Sequence, residues 1–334
     1  MKRPLISIVT PTYNEELNVE ECYRTVKHIF EEQLPDCDYE HVFADNASLD
    51  STPDILRKLA ASDSRVKVVL NARNFGPFRS NYNALRYTKG DAVLVQLAAD
   101  LQDPPELIPQ FVAKWREGYD VVYGIRATRQ ESFTLRSIRK IYYRLVARLA
   151  DVQIPVDAGE FQFVDRRVVD ELLKVDDYYP YIRGMIADLG FRSTGIAFEW
   201  RARKRGISSN NLYRLIDQGL NGFVSFTNIP LRLATFVGFG LSALTLLYAF
   251  VQLILNVVFF RRFSAPGIAT LIVALFFFGG VQMFFIGILG EYINAIHSQV
   301  RRKGRVVERE RINIDDRIDV TSPARDGSPS SNTG

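Results

Sequence analysis

Two stretches late in the chain limit its architecture more than any other feature. Leu233 to Phe260 and Phe263 to Gly290 contain no Asp, Glu, Lys or Arg. Each is longer than the ~20 residues with which an apolar helix spans a bilayer. The link between them, Arg261-Arg262-Phe263-Ser264-Ala265-Pro266-Gly267, has the composition of a tight turn. Two such runs predict a transmembrane helix hairpin over residues 231–296 rather than a pair of buried core helices. Arg201, Arg203, Lys204, Arg205, Arg214 and Arg232 precede the hairpin, and Arg301, Arg302, Lys303 and Arg305 follow it. The positive-inside bias therefore puts both flanks, and both termini, on the cytoplasmic side. Residues 206–230 predict an interfacial helix with Leu212, Leu215, Ile216, Leu220 and Phe223 on one face. Residues 297–334 read as a basic, polar tail that is disordered beyond about Asp315.

Ahead of this membrane half lies a different pattern. Leu5–Thr10, Tyr39–Ala44, Val66–Leu70 and Ala92–Ala98 read as strands, separated by helical periodicity over Leu17–Gln33, after Ser51-Thr52-Pro53, and after Gly76. Strands alternating with helices predict an α/β fold, a mostly parallel sheet covered on both faces, over residues 1–205. No glycine-rich dinucleotide or P-loop signature is present. The formal net charge of +4 is too small to argue for nucleic acid. Cys22 and Cys37 have neither metal-binding nor redox spacing and read as reduced thiols.

The chemistry gathers at strand ends. Asp45 closes the second strand; Asp100, Gln102 and Asp103 follow the fourth, just before Pro104-Pro105. In a parallel sheet these ends share one edge, where such sheets bind ligands. Asp100 and Gln102 are hard oxygen donors two residues apart, able to reach one Mg²⁺ or Mn²⁺ and leave room for a diphosphate. Asp103 reads as a helix N-cap, and the plain alternative for Asp45 and Asp50 is turn formation. A basic stretch runs from Arg126 through Arg139 to Arg148, with a helix expected over 134–150. Arg126 and Arg139 are the candidate phosphate ligands; a solvated charged face is the alternative.

Val9-Thr10-Pro11-Thr12-Tyr13-Asn14-Glu15, then Ala44-Asp45-Asn46-Ala47-Ser48-Leu49-Asp50-Ser51-Thr52, then Ala99-Asp100-Leu101-Gln102-Asp103-Pro104-Pro105-Glu106 resemble family 2 inverting glycosyltransferases of the GT-A, Rossmann-like fold. Within them the chain is similar to the polyisoprenyl-phosphate glycosyltransferases, the group of bactoprenol glucosyltransferases and dolichol-phosphate mannose synthases. The resemblance covers residues 5–230 by motif and 230–295 by architecture. It implies that Pro11, Tyr13 and Glu15 line a nucleotide pocket, that Asp45 meets the base or ribose, and that Asp100 with Gln102 holds the metal. Pro155-Val156-Asp157-Ala158-Gly159 resembles the acceptor-side loop, making Asp157 the catalytic candidate beside Asp100. Asp157 would orient the acceptor rather than deprotonate it, because a phosphate monoester is already ionised near neutral pH. Arg201, Arg203 and Ser208 match the loop that closes over the donor diphosphate. Ser209 stands where relatives often carry lysine, and Ala98 where many carry aspartate.

The implied activity is transfer of a sugar, glucose from UDP-glucose, to undecaprenyl phosphate at the cytoplasmic leaflet of a bacterial inner membrane. Mannose or aminoarabinose transfer is the nearest alternative. A catalytically silent membrane scaffold is the rival of a different class, with Ala98 as its foothold. A processive polysaccharide synthase would need more membrane helices and a Q-x-x-R-W segment, which the chain lacks. Gly238, Gly240, Gly279 and Gly280 suggest helix packing into a homo-oligomer.

Overall fold

A computed structural model describes residues 3–128, 158–175, 177, 180–199, 268–300 and 306–314, and, as helical positions, 236–238, 240–241, 244, 247, 251 and 254. The chain divides into two compact units: Met1–Gln130 with Pro155–Ile207 and Gly304–Gly334, and Glu131–Ile154 with Ser208–Lys303.

The first unit is built on one eight-stranded sheet. Its elements in chain order are β1 (Leu5–Thr12), α1 (Val19–Glu32), β2 (Asp38–Asp45), α2 (Thr52–Ser62), β3 (Val66–Asn71), α3 (Pro77–Leu85), β4 (Ala92–Leu94), a 3₁₀ turn (Pro105–Leu107), α4 (Ile108–Arg116), β5 (Val121–Thr128), β6 (Ala158–Asp165), α5 (Arg166–Leu172), α6 (Ile182–Asp188), β7 (Ser193–Glu199) and, after the second unit, β8 (Glu308–Ile312). Across the sheet the order is β7-β5-β6-β4-β1-β2-β3-β8.

Alternation along the strands sorts the core into two faces. On one, Ile6 and Ile8 of β1, Leu94 of β4 and Phe161 and Phe163 of β6 pack with Cys22, Val26 and Phe30 of α1 and Ile108 and Phe111 of α4. On the other, Val9, Val93, Val121 and Val164 pack with Tyr82 and Leu85 of α3, Val168 and Leu172 of α5 and Ile182 and Ile186 of α6. These side chains are buried, so both faces are covered as the α/β pattern predicts. The helix starts follow the sequence signals. Pro53 and Pro77 fall in first turns, and Glu20 and Glu21 face the positive end of α1.

The sheet is mostly parallel, as expected, with β6 and β8 reversed. β1 pairs in parallel with β2 and β4, β2 with β3, and β5 with β7; β6 runs antiparallel to both β4 and β5, and β8 antiparallel to β3. Strand periodicity carries no direction, and the long connection between β5 and β6 lets β6 enter between β4 and β5 from the opposite end. The stretch 297–334, read as a tail, contributes β8 to this sheet.

In the second unit, α7 (Ile268–Val300) is a single helix of 33 residues. Counting only residues whose side chains are described, no helix is long and apolar enough to cross a membrane. The full sequence of α7 nevertheless holds no Asp, Glu, Lys or Arg from Ile268 to Gly290, about 34 Å of helix. Leu271, Leu275, Phe277, Met283 and Phe284 are exposed along it. The expected helices over 134–150 and 206–230, and most of the first apolar run, lie outside the described residues.

Candidate active site

The carboxyl ends of β1, β2 and β4 meet at one edge. Thr12 is level with Asp45 across the β1–β2 pair, and Ile8 with Leu94 across β1–β4. The loops that follow β1 and β2 are stitched together by hydrogen bonds. The Asn14 amide donates to Ser48 Oγ at 2.9 Å, and Asn14 Oδ1 accepts from the Leu49 amide at 2.9 Å. The Glu15 amide donates to Thr52 Oγ1 at 2.9 Å, the Glu16 amide to Asp50 Oδ2 at 3.1 Å, and the Ser51 amide to Glu16 Oε2 at 3.0 Å. Glu15 Oε2 accepts from Asn18 Nδ2 at 2.6 Å. Pro11, level with Ala44, and the exposed Tyr13 complete this edge. Pro11, Tyr13, Glu15 and Asp45, predicted to act together, are brought together.

Asp45 is fully buried. It accepts from the Ser48 amide at 3.0 Å, from Ser48 Oγ at 2.5 Å and from Thr12 Oγ1 at 3.4 Å. Burial pushes its carboxyl above the usual range, against the pull of those donors. Asn14, Ala47 and Leu101 hold φ of 56°, 61° and 55°. Left-handed backbone without glycine, in three loops at one edge, is the strain that functional sites store.

On the β4 side, regular pairing ends at Leu94, four residues before the expected Ala98. The Val95 amide then donates to Gln162 O, and the Leu97 amide to Val9 O, each at 2.8 Å. Switching partners between β6 and β1 breaks the ladder. A turn follows, with the Leu101 amide on Ala98 O at 3.0 Å and the Gln102 amide on Asp100 Oδ1 at 3.2 Å. The left-handed Leu101 between Asp100 and Gln102 makes that turn sharp. Two hard oxygen side chains here fit Mg²⁺ or Mn²⁺, cations that take one or two protein oxygens and fill the shell with water and substrate phosphate. Among the described residues no group of three His, Cys, Asp or Glu forms a cation cage.

Asp103 does not cap the helix that follows. The position before the 3₁₀ turn is Pro104, with no side-chain cap, and buried Asp103 instead accepts from Arg126 Nη2 at 3.2 Å. Arg126, read as a phosphate ligand, thus has a protein carboxylate as partner. Desolvation raises the Asp103 carboxyl, and Arg126 opposes it. Cys22, under the edge, is buried and its thiol pushed up to about 12, so it is inert. Asp157, Arg139, Arg201, Arg203 and Ser208 lie outside the described residues.

Sequence reading missed a belt of amides. Asn46 Nδ2 donates to Asn74 Oδ1 at 2.9 Å, and Asn71 Nδ2 to Ser80 Oγ at 2.9 Å and Asn46 Oδ1 at 3.3 Å. The Phe75 amide donates to Asn46 Oδ1 at 2.9 Å, and Asn81 Nδ2 to Gln96 Oε1 at 3.2 Å. The available signal was α3 itself, which buries Ser80, Asn81 and Asn83 where core-facing positions are normally apolar.

A carboxylate-lined edge at the carboxyl ends of the strands of an α/β sheet, with oxygen donors suited to a hard cation, is where enzymes of this fold class bind their ligands. Residues 7–173 match the glycosyl transferase family 2 profile. The chain is 35% identical over 296 residues to the uncharacterized glycosyltransferase YkcC of Bacillus subtilis, covering 88% of this chain and 90% of that one. It is 32% identical to the bactoprenol glucosyl transferase of Shigella phage SfX, over 92% of this chain and 99% of the phage protein. Among solved structures, the mannosyltransferase PcManGT from Pyrobaculum calidifontis in complex with GDP-Man and Mn²⁺ aligns over 90% of this chain and 88% of its own at 19% identity and a TM-score of 0.47, too distant to carry residue roles across. The chain belongs to glycosyl transferase family 2, and it is a glycosyltransferase.

Proposed function

We propose that the chain transfers glucose from UDP-glucose, with inversion, to the phosphate of a polyisoprenyl lipid, undecaprenyl phosphate, on the cytoplasmic leaflet of a bacterial inner membrane. The observation that carries this reading is the shared edge of Asp45 and Asp100, in a chain whose relatives of nearly equal length include a bactoprenol glucosyl transferase.

Asp45, with Pro11, Tyr13 and Glu15, holds the nucleoside. Asp100 and Gln102 hold a Mg²⁺ or Mn²⁺ ion, which when bound neutralises charge on the departing UDP. A phosphate oxygen of the lipid attacks the anomeric carbon from the face opposite the bond to UDP; the new C–O bond forms as the old one breaks, so the configuration inverts. Asp157 orients that phosphate, and Arg126 and Arg139 balance its charge. Arg201, Arg203 and Ser208 close over the diphosphate. These fixed charges act electrostatically, as a preorganised site does.

The exposed apolar side chains of α7 and its charge-free length support a membrane-embedded second unit. Gly279 and Gly280 on that helix are open to close approach, which supports packing against a second copy.

The test is transfer of radiolabelled glucose from UDP-glucose to undecaprenyl phosphate by the purified full-length protein with Mn²⁺ or Mg²⁺. A lipid-linked product that disappears in Asp100→Ala and on chelation is expected. Product from GDP-mannose or an aminoarabinose donor alone would change the sugar. Absence of product with every donor would overturn undecaprenyl phosphate as the acceptor.

A further inference from the structure

On the face of the sheet that carries α3 and α6, six side chains close a ring beside this edge. The rings of Phe78 and Tyr181 meet edge-on, centroids 6.4 Å apart. One turn along α3 from Phe78, Asn81 reaches Gln96 at the end of β4. The extension of β4 lies against β6 through the Val95 amide and Gln162 O. Two residues along β6 is Glu160, whose Oε1 stands 3.8 Å from Arg183 Nε. The Arg183 guanidinium lies over the Tyr181 ring, 4.7 Å from its centroid, and the circuit is complete.

Two buried atoms of this ring, Asn81 Oδ1 and Glu160 Oε2, have no hydrogen-bond partner among the described residues. Buried oxygens are normally satisfied, and leaving them unpaired destabilises the fold. Both are acceptors, so they call for O–H or N–H donors and reject an anion. A carboxylate oxygen and an amide oxygen in a circuit that also holds two aromatic rings suit a neutral polyhydroxylated ring, with hydroxyls to the acceptors and C–H face to the aromatics. Placement agrees. Ser80, next to Asn81, is bonded through Asn71 to Asn46, the neighbour of Asp45. The ring therefore adjoins the edge at which the donor is proposed to bind. Burial raises the Glu160 carboxyl while Arg183 and Arg126 pull it down.

We infer that this ring seats the hexose of the donor, and that Asn81 and Glu160 select it by accepting hydrogen bonds from its hydroxyls. The inference rests on the donor reading above, and the experiment separates the two. Affinities of UDP, UDP-glucose and the mono-deoxyglucose analogues of UDP-glucose, with GDP and GDP-mannose beside them, are measured by calorimetry on the full-length protein. Wild type is expected to lose about tenfold or more in affinity on removal of at least one hydroxyl, as sites built to bond a hydroxyl do. In Asn81→Ala and Glu160→Gln, UDP affinity should hold while the extra affinity conferred by the sugar falls, and the penalty for the missing hydroxyl should vanish. Wild type that binds UDP-glucose and every deoxy analogue equally overturns the ring without recourse to any variant. Variants that lose UDP and UDP-glucose in equal proportion also overturn it. Wild type that binds none of the nucleotides overturns the donor reading, and the ring with it.

Discussion

Arg126 on β5 and Asp103 ahead of α4 form an ion pair, Nη2 to Oδ1 at 3.2 Å, in which the carboxylate is buried and the guanidinium mostly so. The pair ties the loop of the metal-binding candidates to the far half of the sheet. Removing the cation alone leaves a desolvated carboxylate, which costs roughly 3 kcal/mol where one partner of a buried pair is lost. Arg126→Ala should therefore lower the apparent melting temperature of the full-length protein by roughly 5–10 °C. Adding Asp103→Asn should recover much of it, since the stranded charge is then gone. If Arg126→Ala raises only the KM for the lipid phosphate and leaves melting unchanged, the phosphate role outweighs the pairing.

His41 on β2 is fully buried, stacked on Phe43 with ring centroids 4.0 Å apart and hydrogen-bonded through Nε2 to Thr10 Oγ1 at 2.8 Å. Burial lowers its pKa to about 3 from an ordinary 6.5. Between those values the unfolded chain binds a proton that the folded chain refuses, so stability is fully present above 6.5 and falls as pH drops toward 3. Asp63, held down to about 2 chiefly by hydrogen bonds from Arg65, adds the same sign only below about pH 4. Melting curves from pH 7 to 4 should slope for wild type and flatten for His41→Phe, which keeps the stacking and removes the titration. Parallel slopes for the two proteins would discard the idea.

Much of this fold was legible before the structure. Val9, Val42 and Val93 stand in apolar runs short enough to be only strands, and the proline and acidic signals at helix starts are local. Asp45 and Asp100 were legible because strand ends in an α/β sheet fall on one edge whatever the details. What sequence could not carry is pairing between distant segments. Arg126 has as much claim on a phosphate as on Asp103 until the two are folded together. Glu308-Arg309-Glu310-Arg311-Ile312 has no apolar alternation, and its meaning comes from Arg57, Asn83 and Tyr87, more than 200 residues earlier. The polar face of α3 has the same cause, since Asn81 makes sense only beside Gln96.

Gly90 marks a place where backbone approaches backbone. A Cβ there would lie 2.6 Å from Ser7 N and from Ser7 Oγ, and 2.7 Å from Ala92 O, while the Gly90 amide donates to Ser7 Oγ at 2.8 Å. Gly90→Ala should destabilise by roughly 2–3 kcal/mol through overpacking, read as a lower denaturation midpoint. Activity per folded molecule should be unchanged, because the strain falls at the amino-terminal edge of the sheet, opposite Asp45 and Asp100.

β8 covers the outer edge of β3 and fastens it from several sides. Glu310 pairs with Arg57 Nη2 at 2.8 Å, Tyr87 Oη donates to Glu308 Oε1 at 2.5 Å, and Asn83 donates to the same carboxylate. Asn313 Nδ2 donates to Ala60 O at 2.8 Å and Val66 O at 2.9 Å. Just before the strand, Val307 O accepts the Ala72 amide at 2.9 Å. Ala72 opens the loop whose Asn74 is bonded to Asn46, beside Asp45. The segment after α7 therefore braces the loop behind Asp45. Ending the chain at Gly304 should expose β3 as an edge, lower the melting temperature and raise the KM for the nucleotide sugar several-fold, with kcat much less affected. Glu308→Ala should give a weaker version of the same split, because it removes the anchor on α3 and leaves the strand in place. Unchanged KM in both proteins would reduce β8 to an edge cover without influence on donor binding.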